Sequence, residues 1–185
     1  MNKTATPVLF LPMDIAGPVD SLLAGMPHAE EMKLLGFALV GCHAVGWLAT
    51  RDHLASHAVP QLLGFMALAY IGVQAWFIGG TYAAILGDAP PKIRDYSAMG
   101  ELAAALQLPF QTYEITLALF VKELRGKNFE MLGHHVIAFT LSWLCVSSRS
   151  YSCYAGYFMG VTELSSVPLV AVCRWCAWAF SPHTP

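Results

Sequence analysis

Charged residues are scarce in this sequence. Only 12% of its 185 residues are Asp, Glu, Lys or Arg, while 56% are hydrophobic. Soluble globular domains contain about 25% charged residues, and a chain this short needs a polar surface because a large share of it stays exposed. The composition therefore excludes an ordinary soluble domain and predicts an integral membrane protein.

Basic clusters and paired metal ligands are missing as well. The Lys and Arg residues are scattered and the net charge is −2, whereas nucleic-acid binding requires a basic stripe that neutralises phosphates. We therefore expect no nucleic-acid partner. Five cysteines are present, and two form the motif Cys173-Arg174-Trp175-Cys176. Because no second Cys or His pair lies near this motif in the sequence, we expect no metal site.

The sequence contains several long apolar runs. A helix needs about 20 mostly apolar residues to cross the hydrocarbon core of a membrane. We expect an all-α, polytopic transmembrane bundle of about five spans over residues 33–181, preceded by a non-spanning N-terminal arm over residues 1–32. The arm lacks the pattern of a signal peptide and is interrupted by Pro and Asp. The expected spans are 34–50, 61–86 (entered by Pro60), 102–121, 129–147 and 151–180.

The last of these runs is too long for one simple span. Pro168 lies inside it, and proline disrupts a helix interior because it cannot donate a backbone hydrogen bond. We predict a break or kink at residues 163–168. Broken helices in membranes line cavities, and the hydroxyls of Thr162, Ser165 and Ser166 could satisfy the backbone groups freed there.

Ionisable side chains occur at three places in these runs: Glu114, the adjacent His134 and His135, and Glu163. Each costs roughly 2.5–3.5 kcal/mol to insert, so such groups usually face a bundle interior or a cavity. Glu114 suits a proton-handling or headgroup-binding acid, or a structural hydrogen bond near the membrane midplane. The histidines suit a general base, a metal or tetrapyrrole ligand, or interfacial contacts with lipid headgroups.

These groups lead to a prediction about contacts and ligands. We predict that His134 or His135 approaches Glu114 or Glu163 in one interior cavity, with Glu163 as the better direct partner. Glu114, Thr162, Ser165 and Ser166 are the candidate lipid-binding residues. The single His43 suits a hydrogen-bonded core position better than haem or chlorophyll ligation. Bound lipid is expected, no cofactor is required, and neither pigment nor haem is indicated.

The order of these motifs resembles the TLC-domain family, which includes ceramide synthases and translocation-associated membrane proteins. The resemblance covers roughly residues 105–178. It rests on Thr112-Tyr113-Glu114-Ile115, on the histidine pair, and on Glu163-Leu-Ser-Ser-Val-Pro168 followed by Arg174-Trp175. The later part is most similar to the non-synthase branch of that family.

The resemblance implies roles for particular residues. In ceramide synthases of the family, a histidine pair and two aspartates surround an acyl-transfer site. His134 and His135 match the histidine pair, Glu163 takes the place of the first aspartate, and Ser166 that of the second. His134, His135 and Glu163 are thus the candidate ancestral catalytic residues, and any enzymatic activity would be acyltransferase-like. Without the second acid, ceramide synthesis is not expected.

Two functions remain open on the sequence. The protein could bind or sense lipids or acyl chains in a cavity between the third, fourth and fifth spans. Alternatively, it could be a non-catalytic subunit of a large membrane assembly, such as a respiratory or photosynthetic complex. Its partners would be membrane lipids in the first case and other membrane protein subunits in the second. The organelle and the orientation stay open, because basic residues fall on both sides.

Overall fold

The computed structural model describes residues 16–78, 87, 95–125, 129–170 and 172, and within them the chain is helical without a strand. The predicted all-α fold is confirmed. The helices are α1 (Ala16–Leu23), α2 (Ala29–Thr50), α3 (His53–Val73), α4 (Ala98–Phe120), α5 (Glu130–Ser148) and α6 (Ser152–Phe158). A π-helical turn, Gln74–Ile78, extends α3, and short 3-10 turns cover Lys122–Leu124 and Val161–Leu164.

Some of the predicted features lie outside the described residues. These are the first part of the N-terminal arm, the end of the second predicted span, and the Cys173–Cys176 motif with the tail behind it.

Three described helices are long and apolar enough to cross a membrane. They are α2, α3 with the first residues of its π-helical extension, and α5. Helix α4 has 23 residues, which corresponds to about 35 Å at the helical rise per residue. It is the most enclosed helix of the bundle, with buried side chains along most of its length. Its polar residues Gln107, Gln111 and Glu114 are shielded by the neighbouring helices.

The contacts of α4 define how the helices run. His57 contacts Glu114 and Phe65 contacts Phe110, so α3 and α4 are antiparallel. Helix α5 is antiparallel to α4 as well, since His135 lies beside Gln111 and Arg149 beside Glu101. The bundle thus has two ends. We call them the His53 end, where α2 meets α3, and the Glu101 end, where α4 begins.

Helix α3 begins earlier than the sequence predicted. Its N-cap is Asp52, whose carboxylate accepts a hydrogen bond of 2.8 Å from the backbone N–H of Leu54. Pro60 is buried inside the helix instead of marking its entry. The prediction of a start at residue 61 was wrong because Pro60 was interpreted as the entry of the helix. The N-cap carboxylate stabilises a helix start at residue 53. His53 and His57 therefore belong to α3.

The long last segment is broken, although the break begins at Met159 and not at Glu163. Helix α6 ends at Phe158, the 3-10 turn follows, and residues 166–170 are helical again. Pro168 is the third residue of that helical stretch, where a missing N–H costs little because it has no intrahelical partner. The break coincides with a crossing of two backbones. A Cβ added to Gly72 of α3 would collide with backbone atoms of Gly160.

A layer without ionisable carboxylates or histidines lies near the Glu101 end of the bundle. Its buried members come from α2, α4, α5 and α6: Met32, Ala104, Ala105, Leu108, Cys145, Val146 and Ala155. We call it the apolar layer. It separates the polar groups at the Glu101 end from those deeper in the bundle.

Candidate functional site

Three polar side chains of α4 share one buried face. Gln107, Gln111 and Glu114 follow each other at spacings of four and three residues, which places them on one side of a helix, and each is at most 3% exposed. The carboxylate of Glu114 accepts from Nε2 of His57, which lies 2.9 Å from both of its oxygens. His57 is itself 2% exposed. A buried histidine–carboxylate pair therefore links α3 to α4.

His135 joins this pair from α5. Its Nδ1 lies 2.7 Å from Oε1 of Gln111, and its Nε2 lies 3.8 Å from Oε2 of Glu114. An amide oxygen can only accept, so Nδ1 of His135 carries the hydrogen of this bond. The other ring nitrogen therefore faces the carboxylate of Glu114.

The hydrogen bonds continue along α4 towards the break after α6. The amide nitrogen of Gln111 donates to Oε1 of Gln107 over 2.7 Å. Gln107 in turn donates to the carbonyl of Met159 at 3.2 Å and to Oε1 of Glu163 at 3.4 Å. We call His57, Glu114, His135, Gln111, Gln107 and Glu163 the interior row.

A second set of polar groups connects the interior row to the His53 end. Nδ1 of His43 lies 2.9 Å from the Tyr113 hydroxyl, and its Nε2 lies 3.1 Å from Nδ1 of His53. The rings of Tyr113 and His57 are stacked, with centroids 5.9 Å apart. Both ring nitrogens of His43 thus have hydrogen-bond partners, as a core histidine requires.

The structure brings some of the predicted site residues together and leaves others apart. Glu114, His135 and Glu163 belong to the interior row. His134 is exposed, contacts the edge of the His135 ring and lies close enough to Glu163 for an electrostatic interaction. His135 lies beside Glu114 and not beside Glu163, the direct partner that the sequence favoured. Glu114 lies in the C-terminal half of α4, because the helix begins at Ala98 and ends at Phe120.

The predicted hydroxyl residues lie around the break. Thr162 and Ser165 are exposed, and their hydroxyls donate to the backbone carbonyls of Phe158 and Thr162. These bonds satisfy backbone groups at the break, as expected of hydroxyls near an interrupted helix. Ser166 is partly buried and its hydroxyl donates to the carboxylate of Glu163.

Several residues of the site were missed by sequence reasoning. His57 lies outside the predicted spans and was not considered, and Tyr113 was only quoted as part of a motif. The buried glutamines carried a usable pattern, since Gln107, Gln111 and Glu114 share the spacing of one helix face. His53 and His57 are four residues apart, so they also share one helix face once Asp52 is recognised as the N-cap of their helix.

A separate polar cluster lies at the Glu101 end. Glu101 is 3% exposed, and its Oε2 accepts a 2.9 Å hydrogen bond from the Tyr96 hydroxyl. This bond raises the pKa of Tyr96 above its ordinary value, because deprotonation would break it. His28 and Arg149 lie 3.6 and 3.8 Å from the carboxylate. The cluster ties together the starts of α2 and α4 and the end of α5.

Two grooves on the bundle are apolar. The larger, of about 540 Å³, lies between α5 and α6, and its lining includes Leu141, Leu144, Cys145, Ala155, Phe158 and Met159. The smaller, of about 320 Å³, lies between α3 and the chain beyond the break. Neither groove is lined by a residue of the interior row. Among the described residues, no group of three His, Cys, Asp or Glu side chains could hold a metal ion.

A comparison with protein families decides what kind of chain this is. Residues 57–177 match the family model of the TLC domain. The chain belongs to the TLC-domain family. The matched region begins at His57 and includes every residue of the interior row, so this TLC domain starts well before residue 105, where the resemblance in the sequence began. Neither a curated protein nor a solved structure matches the chain.

Proposed function

We propose that this TLC-domain protein is a multi-pass membrane protein that binds the acyl chain of a lipid in the groove between α5 and α6. The groove's volume of about 540 Å³ falls within the range of roughly 300–1,000 Å³ typical of small-molecule sites. Its lining is aliphatic and aromatic, with two tyrosines near one end. Such a lining suits a hydrocarbon chain, which makes dispersion contacts and needs no hydrogen bonds.

One residue carries this proposal because it belongs to both the groove and the polar interior. The side chain of Met159 lines the groove, while its carbonyl accepts a hydrogen bond from Gln107 of the interior row. The hydroxyl oxygen of Ser142 lies 3.5 Å from the Met159 sulfur. An acyl chain bound in the groove would therefore contact Met159, whose backbone is hydrogen-bonded to the interior row. This supports lipid binding or sensing over a groove that only meets bulk lipid.

The same geometry favours a non-synthase role. Only His135 of the histidine pair belongs to the interior row, while His134 is exposed. Ser166 stands where the resemblance expects a second acid, and a hydroxyl cannot replace a carboxylate as a general base at neutral pH. The proposed function is therefore binding without acyl transfer.

Replacing Leu141 by tryptophan tests this proposal. Leu141 lines the groove and is 53% exposed, so a larger ring there should occupy the space of the acyl chain without disturbing the core. We expect co-purified lipid to fall by about tenfold, which corresponds to about 1.4 kcal/mol of lost binding. The measurement is quantitative mass spectrometry of lipids retained by protein that was purified in a mild detergent.

The matched control is Val136→Trp on the same helix. Val136 is also exposed, but it lies about 140° around the helix from Leu141, and it does not line the groove. It should keep the lipid of the unchanged protein. Equal lipid in Leu141→Trp and in the control would contradict the proposal. Purification of the unchanged chain with other proteins in fixed ratio and without lipid would instead favour the accessory-subunit function.

A further inference from the structure

A proton would stabilise the contact between His135 and Glu114. Because Nδ1 of His135 donates to Gln111, a neutral His135 turns the lone pair of Nε2 towards Oε2 of Glu114, 3.8 Å away. An ionised carboxylate and an imidazole lone pair repel each other, and burial strengthens this repulsion. A proton on Nε2 or on the carboxylate would remove this repulsion.

A path for this proton leads from the His53 end. His53 is exposed at the start of α3, and its Nδ1 lies 3.1 Å from His43, which lies 2.9 Å from the Tyr113 hydroxyl. Imidazole and phenol groups can each accept one proton and donate another. Rows of such side chains inside membrane proteins serve as proton relays.

The path continues from Tyr113 to His57. The two rings are stacked at 5.9 Å, and Nδ1 of His57 is buried without a hydrogen-bond partner among the described residues. Leaving such a nitrogen unpaired costs about 1–3 kcal/mol, and an internal water is the usual remedy. One water bonded to this nitrogen and to the Tyr113 hydroxyl would connect the two. Nε2 of His57 then reaches Glu114 directly.

The other direction is closed. Beyond His135 the interior row continues through Gln111 and Gln107, whose amides do not titrate and whose donors all point one way along the row, to the partly buried Glu163. Two amide side chains thus separate Glu163 from His135, and the apolar layer lies towards the Glu101 end. Among the described residues, Glu114 is contacted by His57 from α3 and by His135 from α5. The next titratable groups are Tyr113 of α4 and His43 of α2, on the path from the His53 end, and His134, which lies beside His135 on α5.

We propose that His53, His43, Tyr113 and His57 form a one-sided proton inlet to the Glu114–His135 pair. The protonation of this pair then follows the pH of the compartment at the His53 end and is insulated from the other side. This function is distinct from acyl-chain binding, since the groove is not lined by any of these residues.

Tyr113→Phe isolates the inlet, because it removes one hydroxyl and keeps the aromatic ring beside His57. The protein is placed in lipid vesicles of phosphatidylcholine and sorted by orientation. After a pH jump outside the vesicles, infrared difference bands are followed over time and assigned to Glu114 with Glu114→Gln. We expect a fast response when the His53 end faces outwards and a response at least about tenfold slower in Tyr113→Phe. That slowing corresponds to a barrier increase of about 1.4 kcal/mol.

A second variant and a control complete the test. His53→Ala changes only an exposed residue at the mouth and should also slow the response. Tyr96→Phe removes a hydroxyl bonded to Glu101 at the opposite end and should leave the rate unchanged. The proposal is overturned if Tyr113→Phe and His53→Ala respond as fast as the unchanged protein. Equal responses in both orientations, or the absence of any Glu114 band between pH 4 and 9, would overturn it as well.

Discussion

Replacing Glu114 with leucine is expected to lower the free energy of unfolding by about 3–5 kcal/mol, the usual cost of breaking a buried ionic pair by removing one partner. His57 and His135 are 2% and 7% exposed. Both would keep a ring nitrogen in an apolar interior with no carboxylate to face it. The measurement is unfolding by sodium dodecyl sulfate in mixed micelles, followed by the loss of helical circular dichroism.

Two further variants separate the lost pair from a simple change of shape. Glu114→Gln keeps an oxygen that can accept from His57, so its cost should be clearly smaller than that of leucine. The double variant His57→Phe with Glu114→Leu replaces both partners, and such replacements are often close to neutral. It should therefore be more stable than Glu114→Leu alone. A Glu114→Leu protein as stable as the unchanged chain would show that the buried pair does not hold α3 to α4.

Replacing Gly72 with valine should have an effect of similar size for a different reason. The added Cβ would meet the backbone of Gly160 and Val161, and the three nearest atoms are all backbone atoms. Overpacking usually costs about 1–3 kcal/mol, and here no flexible side chain can move aside, so about 3 kcal/mol or more is expected. The chain beyond α6 should separate from α3, which limited proteolysis between residues 158 and 166 would detect.

Gly41→Ala is the matched control for this substitution. Gly41 also lies inside a long helix, but a Cβ there would meet nothing within 4 Å. Alanine is a better helix former than glycine by about 1 kcal/mol, so this variant should be as stable as the unchanged protein or slightly more stable. If Gly72→Val and Gly41→Ala showed the same stability and the same cleavage, the close crossing at Gly160 would not be a constraint on the fold.

The helices could be predicted from the sequence because apolar runs and helix starts are local features. Helices α4 and α5 begin and end within a few residues of the expected bounds. The predicted start of α3 was wrong because Asp52 is the N-cap of a helix whose first two turns include the polar residues His53, Ser56 and His57. The predicted position of the break was several residues too late, because Gly160 contacts Gly72 across the bundle. A contact between residues that are distant in the sequence leaves no local pattern.

The candidate site was only partly predictable for the same reason. The cost of an acid in an apolar run identified Glu114 as an interior residue, and it is buried. Its partner could not be chosen, because His57 and His135 come from helices whose rotation depends on packing. The glutamines were overlooked since an uncharged amide costs less in an apolar run than an acid. The glutamines connect His135 to Glu163 through contacts of α4 with α5 and with the break after α6. These contacts depend on the tertiary structure.

The most direct test of acyl-chain binding is crosslinking with a phospholipid that carries a photoreactive diazirine in its acyl chain. The purified protein is irradiated in vesicles that contain this lipid, and adducts are located by peptide mass spectrometry. We predict that adducts concentrate on the groove, at Leu144, Cys145 and Met159, and that Leu141→Trp removes them. Adducts spread equally over the groove and over the exposed face of α2, at Phe37 and Val40, would contradict a specific site.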